Sequence, residues 1–238
     1  MAGHYSFFGQ PEPQLILIDY WLQIIATAVL CGLLGGLFVW LLMRGSLMLA
    51  PQVRKHPYRV ALACGLLVAL IGFLSGGITF GSGYDEARAL IEQKDEPGLL
   101  FPLAKMASTL LTYFTGVPGG LFSPSLATGA GIGAFMGHLF QDTSVVGVTL
   151  VGMAAFLAGV TQRPITAFVI VMELTGNHHE MLLSLMAAAF IATAVAKLVH
   201  PTPVFDSLAH ALAEGRALPV EGAETAAPKG QKKTAEAG

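Results

Sequence analysis

Charge is what this sequence has least of. Only 12% of its 238 residues are Asp, Glu, Lys or Arg, where an average soluble domain carries roughly 25%. With 54% hydrophobic residues, the chain reads as an integral membrane protein. The scarcity of charge excludes further classes. The net charge of −2 comes with no basic stripe, so no nucleic acid is expected as a partner. There are two cysteines, Cys31 and Cys64, each inside an apolar run, and they read as small buried hydrophobes rather than a disulfide. No nucleophile–base set and no ligand cluster with metal spacing is found, so neither an enzyme nor a cofactor is expected. The nearest approach is His178-His179-Glu180. Adjacent histidines point in different directions and further ligands are missing, so an interfacial turn is the reading. The opening residues lack the basic n-region and apolar core of a cleavable leader.

What is present is a series of long uncharged runs. Residues 20–43 carry no charge, and ~20 apolar residues suffice to span a bilayer. Tyr20, Trp21 and Trp40 mark the ends of this run as interfacial aromatics do. Gly32 and Gly36 form a GxxxG pair for close helix packing. Residues 44–59 hold Arg44, Arg54, Lys55 and Arg59 and no acid, which predicts a cytoplasmic connection. A second span covers 60–80, and an acidic segment, 85–96, follows on the opposite side. Residues 98–114, 143–162, 164–175 and 181–196 read as further apolar helices. Pro164 opens one of them, at a position where its missing N–H does no harm. The breaks at Gly176-Asn177 and at His200-Pro-Thr-Pro203 precede a short final helix over 204–216. The expected organisation is a polar lead (1–13), one all-α membrane domain (14–216) and a disordered tail (217–238). Asp19 and Gln23, one helical turn apart, are assigned to a headgroup region or protein interior. Glu173 is an ionisable residue in apolar sequence and is given a structural role, bonded to nearby amides or to Thr175.

One stretch organises the rest. Thr115-Gly-Val-Pro-Gly-Gly-Leu-Phe-Ser-Pro-Ser125 interrupts the uncharged region 106–140. Backbone freed from a helix at membrane depth is tolerated only inside protein or along a polar cavity. Residues 126–137 read as a helix, so the stretch is a helix N-terminus within the membrane. Free N–H groups and the positive end of the dipole favour an anion there. Ser123 is the expected N-cap and Pro124 the first helical residue. Gly119 and Gly120, without side chains, let an ion approach the backbone. Unequal and interrupted helices of this kind point to a transport site near the midplane.

These residues resemble a known family. Gly120-Leu-Phe-Ser-Pro124 matches the G-x-F-x-P motif of the CLC chloride channels and chloride/proton antiporters. His4-Tyr-Ser-Phe-Phe-Gly9, Gly152-Met-Ala-Ala-Phe-Leu-Ala-Gly, Arg163-Pro-Ile-Thr and Val171-Met-Glu-Leu-Thr-Gly-Asn177 resemble the family's second half in the same order. The resemblance implies a CLC-type bundle of tilted, discontinuous helices. It implies a chloride held by the amides at Leu121 and Phe122, and a homodimer contacted through the helices resembling 164–175 and 180–197. It further implies an integral protein of a bacterial inner membrane, in contact with lipid.

The match is to the second of the family's two inverted repeats. The G-S-G-I-P and G-[RK]-E-G-P motifs of the first repeat are missing, and Gly81-Ser82-Gly83-Tyr84 is a loop, not a substitute. Phe205 falls where the family has a tyrosine whose hydroxyl meets the chloride. Its phenyl ring forgoes a bond worth about 1.5–3 kcal/mol. The expected function is therefore anion transport as the C-terminal half of a CLC-type protein, completed by a complementary N-terminal half. The rival expectation is a non-conducting truncated or split half that acts only in assembly. A secondary transporter of other anions shares the broken-helix physics but leaves the ordered motifs without explanation.

Overall fold

The computed structural model describes residues 20–92, 98–116, 119–140, 144–175 and 179–213. The expectations for the polar lead, the disordered tail, Asp19, Gly176, Asn177 and His178 concern residues outside these ranges. Among the described residues every regular element is helical, as the sequence predicts. In order they are α1 (Trp21–Lys55), α2 (Pro57–Leu74), α3 (Tyr84–Ile91), α4 (Leu100–Phe114), α5 (Phe122–Leu139) and α6 (Val145–Thr161). There follow α7 (Pro164–Leu174), a 3₁₀ turn (His179–Met181), α8 (Leu182–Val199) and α9 (Val204–Ala213).

The bundle is built around α6. Its residues are apolar or small all round, and a helix without a polar face is a buried helix. Every residue from Gly147 to Thr161 is buried, with α5, α1, α8 and α7 packed about it. Glycine sets how closely α5 approaches. A Cβ placed on Gly152 would fall 2.4 Å from the Gly129 carbonyl oxygen, and one on Gly133 would fall 2.5 Å from that of Val148. The GxxxG pair of α1 does the same against α8. Cβ atoms on Gly32 and Gly36 would lie 2.6 and 2.9 Å from the Ala192 and Ala196 carbonyl oxygens. Apolar side chains alone cannot drive association in lipid, so this backbone-to-backbone packing is the main cohesive contact.

One expectation needs correction. Residues 44–59 are not a connection as far as residue 55, because α1 continues unbroken to Lys55 with Pro51 inside it. Nothing in 44–50 stops a helix, and Ser46, Ala50 and Val53 keep one side buried. The Arg44 guanidinium lies over the Trp40 ring, 5.5 Å from its centroid, which ties it to the preceding turn. At 35 residues this helix is about 50 Å long, well beyond the ~30 Å hydrocarbon core. The chain turns only at His56, before Pro57 opens α2. Helices α1 and α2, and the stretch Leu182–Ala209 that contains α8, are long and apolar enough to cross a membrane. Helix α2 buries only Cys64 and Gly72 and turns Leu62, Leu66, Leu70 and Phe73 outward.

The two kinds of glycine respond oppositely to a methyl group. Gly152→Ala is expected to destabilise the bundle by about 1–3 kcal/mol through overpacking. Gly65, in mid-α2 with nothing near its missing Cβ, is expected to gain about 0.5–1 kcal/mol as alanine from helix propensity. Reversible unfolding of both variants in mixed micelles checks the opposite signs.

Candidate functional site: an open helix N-terminus

Helix α5 starts earlier than the sequence suggests. Its N-cap is Leu121 (φ −95, ψ −22), and no side chain caps it. Its first bond runs from the Ser125 N–H to the Leu121 carbonyl, 3.1 Å. Ser123 and Pro124 therefore lie within the first turn, and the expected N-cap and first-residue roles are corrected. The reason is that first-turn N–H groups have no helical acceptor, so a proline that lacks one fits anywhere in that turn. The Ser123 hydroxyl instead donates to the Ser82 carbonyl at 3.3 Å. Helix geometry leaves the N–H groups of Leu121, Phe122 and Ser123 without acceptors in the preceding turn.

The approach to these groups is held in place from below. The Tyr113 hydroxyl, near the end of α4, donates to the Gly119 carbonyl. Gly120 has nothing within contact of its missing Cβ, so the space over the helix start is open. The Leu121 side chain is buried, whereas the Phe122 ring is 42% exposed.

A distant element meets this turn. The Phe205 ring, in the first turn of α9, stacks on the Phe122 ring with centroids 5.9 Å apart and planes inclined by 24°. Two positions singled out separately in the sequence are thus brought together. The connection from α8 to α9 is fixed by Gln162, which closes α6 in the left-handed region (φ 52). The Gln162 Nε2 donates to the carbonyls of His200 (2.6 Å) and Thr202 (3.4 Å). Arg163 and Asp206 form an exposed ion pair at 3.4 Å, worth little by itself. The Thr202 and Ser207 hydroxyls lie 2.7 Å apart at the start of α9.

Sequence reading missed Tyr113, Gln162 and Lys105. Gln162 had a visible signal, a polar residue ending an apolar run beside an Arg-Pro restart. Tyr113 had none. Lys105 stands at the edge of the uncharged region yet is 2% exposed, and its partners belong to a loop far off in the sequence. Glu173 is corrected. It is exposed near the end of α7, and the Thr175 hydroxyl turns away to the Val171 carbonyl at 2.7 Å. A carboxylate with access to solvent or lipid headgroups does not need that partner. Beside the histidine pair, Glu180 is exposed on the 3₁₀ turn, and no metal-ligand cluster is found among the described residues.

The site is thus an uncapped helix N-terminus that opens beside two aromatic rings within an apolar helical bundle of the membrane-spanning kind. The family model described as Voltage gated chloride channel matches residues 1–197, and the chain belongs to that family. It is 34% identical over 205 residues to the voltage-gated ClC-type chloride channel ClcB of Escherichia coli, covering 79% of this chain and 46% of that one. It is 26% identical over 193 residues to ClcB of Salmonella dublin, covering 78% and 46%. A crystal structure of a CLC-type fluoride/proton antiporter superposes with a TM-score of 0.66 at 22% identity, over 79% of this chain and 48% of that chain. This last likeness shows the fold. The chain spans about half the length of the curated relatives it matches.

The stacked ring pair is expected to link α5 and α9 energetically. In a double-mutant cycle with Phe122→Ala and Phe205→Ala, the coupling energy is expected to be about 0.5–1.5 kcal/mol. Unfolding free energies of the four proteins check it, and a coupling near zero would show that the rings merely lie near one another.

Proposed function

We propose that this chain forms the C-terminal half of a chloride pathway, with the anion held by the amides at Leu121 and Phe122. The carrying observation is the convergence of the Phe122 and Phe205 rings beside the uncapped start of α5. Gly119 and Gly120 keep that approach clear, and the helix dipole adds a favourable field. Ser123 and Pro124 complete the first turn, the former through its link to Ser82. By the resemblance, first-repeat sequence on the facing side supplies a serine hydroxyl as a further ligand and a glutamate as the gate. Chloride is the transported ligand and no cofactor is involved.

Phe205 shapes this site by what it omits. A phenyl ring closes one side of the path without offering a hydroxyl, so the anion rests on backbone donors. Outside the pathway, α7 and α8 present Ile165, Val169, Leu183 and Phe190 to their surroundings. That surface suits lipid on one part and a second copy of the protein on another, in a bacterial inner membrane.

A second reading, a non-conducting half that serves in assembly, is favoured by the exposure of both rings, 42% and 43%. A pore wall that faces its partner half looks the same. Reconstitution separates the two. Chloride efflux from liposomes carrying this chain alone sinks the assembly reading. Efflux that requires a complementary first-repeat half supports the proposed pathway, and no efflux from the completed pair overturns it. In the completed pair, Phe205→Tyr is expected to tighten chloride binding by about tenfold or more, the equivalent of one charge-assisted hydrogen bond. Calorimetric titration reads the affinity. Bromide anomalous signal beside the Leu121 and Phe122 amides reads the position.

A further inference from the structure

Lys105 is a charged side chain that the proposed pathway leaves without a role, and among the described residues it is the buried one. It lies in α4 and is 2% exposed. A buried ammonium is expensive unless each of its protons finds an acceptor. Here the acceptors are backbone. Nζ donates to the carbonyls of Thr79 (3.0 Å), Phe80 (3.3 Å) and Gly81 (2.9 Å), which uses all the donors an ammonium has. Among the described residues no carboxylate forms a direct ion pair with it, and the Glu86 carboxylate acts on its charge only from farther off. The turn that supplies these carbonyls bends through Gly76, Gly77, Gly81 and Gly83, all at positive φ. Such a backbone converges three consecutive carbonyls on one point, which is the geometry of a small-cation site.

The same turn reaches the proposed anion site. The Ser82 carbonyl, next in the chain, accepts the Ser123 hydroxyl from the first turn of α5. A Cβ on Gly83 would fall 2.8 Å from Lys105 Cε and 2.6 Å from Ala127 Cβ, so turn, lysine and α5 meet with no space between them. Phe80 closes the other side, its ring lying over Gly72 of α2.

We propose that residues 79–81 form a three-carbonyl site for a monovalent cation, occupied by the Lys105 ammonium, and that this tethered cation positions the start of α5 through Ser82 and Ser123. Lys105 is thus a positioning residue, and its relevance to chloride rests on the function proposed above. The carbonyl oxygens repel one another, and without a positive charge between them the turn opens.

Hydrogen exchange in the liposome-reconstituted chain tests this without using transport as the readout. In Lys105→Met, which keeps the stem and loses the charge, exchange over 79–84 and over 122–128 is expected to rise about tenfold or more while α6 is unchanged. Lys105→Ala is expected to loosen the same segments and to recover protection in methylammonium chloride but not in tetramethylammonium chloride, whose cation is too large. The cation site is overturned if 79–84 exchanges as in wild type in Lys105→Met, or if the two ammonium salts act alike on Lys105→Ala. The positioning role is overturned if 79–84 loosens and 122–128 does not. Should the lysine variants fail to fold, Ser123→Ala decides the link. Faster exchange over 122–128 with 79–81 still protected supports it, and no change overturns it. Absence of chloride flux from the completed pair would remove the proposed function and leave the exchange result to stand independently.

Discussion

The structure depends on a constraint of apolar surroundings. Backbone N–H and C=O groups released from a helix must find partners, because lipid offers none. Just before α5, and in the turn between α2 and α3, the chain leaves helical geometry, and several of the freed carbonyls find side-chain partners. The Gly119 carbonyl takes the Tyr113 hydroxyl. The Ser82 carbonyl takes the Ser123 hydroxyl, and the carbonyls just before it take the Lys105 ammonium. What is left over is a set of N–H groups at Leu121, Phe122 and Ser123. A donor cluster in such a place calls for a partner from outside the helix, the part that the proposed anion takes with the help of the dipole.

That opening is useful only if it is held still, and the rest of the bundle does this with small residues. Helix α6 is buried along its length; it accepts α5 at glycine contacts where even a methyl group would collide, and α1 at glycine contacts that leave little room. Close backbone approach replaces the hydrophobic drive that lipid removes. The consequence reaches the site directly, since the helix that α6 grips through Gly129 and Gly133 is the one whose first turn carries the free N–H groups. At the other end, Gln162 fastens the chain between α8 and α9 and so delivers Phe205 to Phe122.

Much of this was legible before folding. Charge scarcity and uncharged runs gave the membrane class and the approximate helices. The Gly–Pro interruption gave the break and the direction of the helix after it. The ordered motifs gave the family, which the match over residues 1–197 establishes. The failures have local causes. Basic residues after 43 suggested a loop, but positive charge says which side of the membrane a segment occupies and does not stop a helix, so α1 ran on to Lys55. Ser123-Pro124 looked like a cap, yet proline is equally at home anywhere in the first turn. Glu173 was given a buried partner because its neighbours are apolar, and hydropathy along the chain does not reveal which side of α7 faces outward.

By itself, then, the sequence determined the solvent this protein lives in, the helical class, the position of the broken helix and the family. These follow from composition and from interactions between near neighbours in the chain. Only the tertiary structure decided that Phe205 lies on Phe122, that Gln162 holds the link that puts it there, and that Lys105 sits among the carbonyls of a turn on another element. Those contacts join residues far apart in sequence. They are fixed by how closely glycine lets α5, α6, α1 and α8 approach, a matter of shape that no single segment carries.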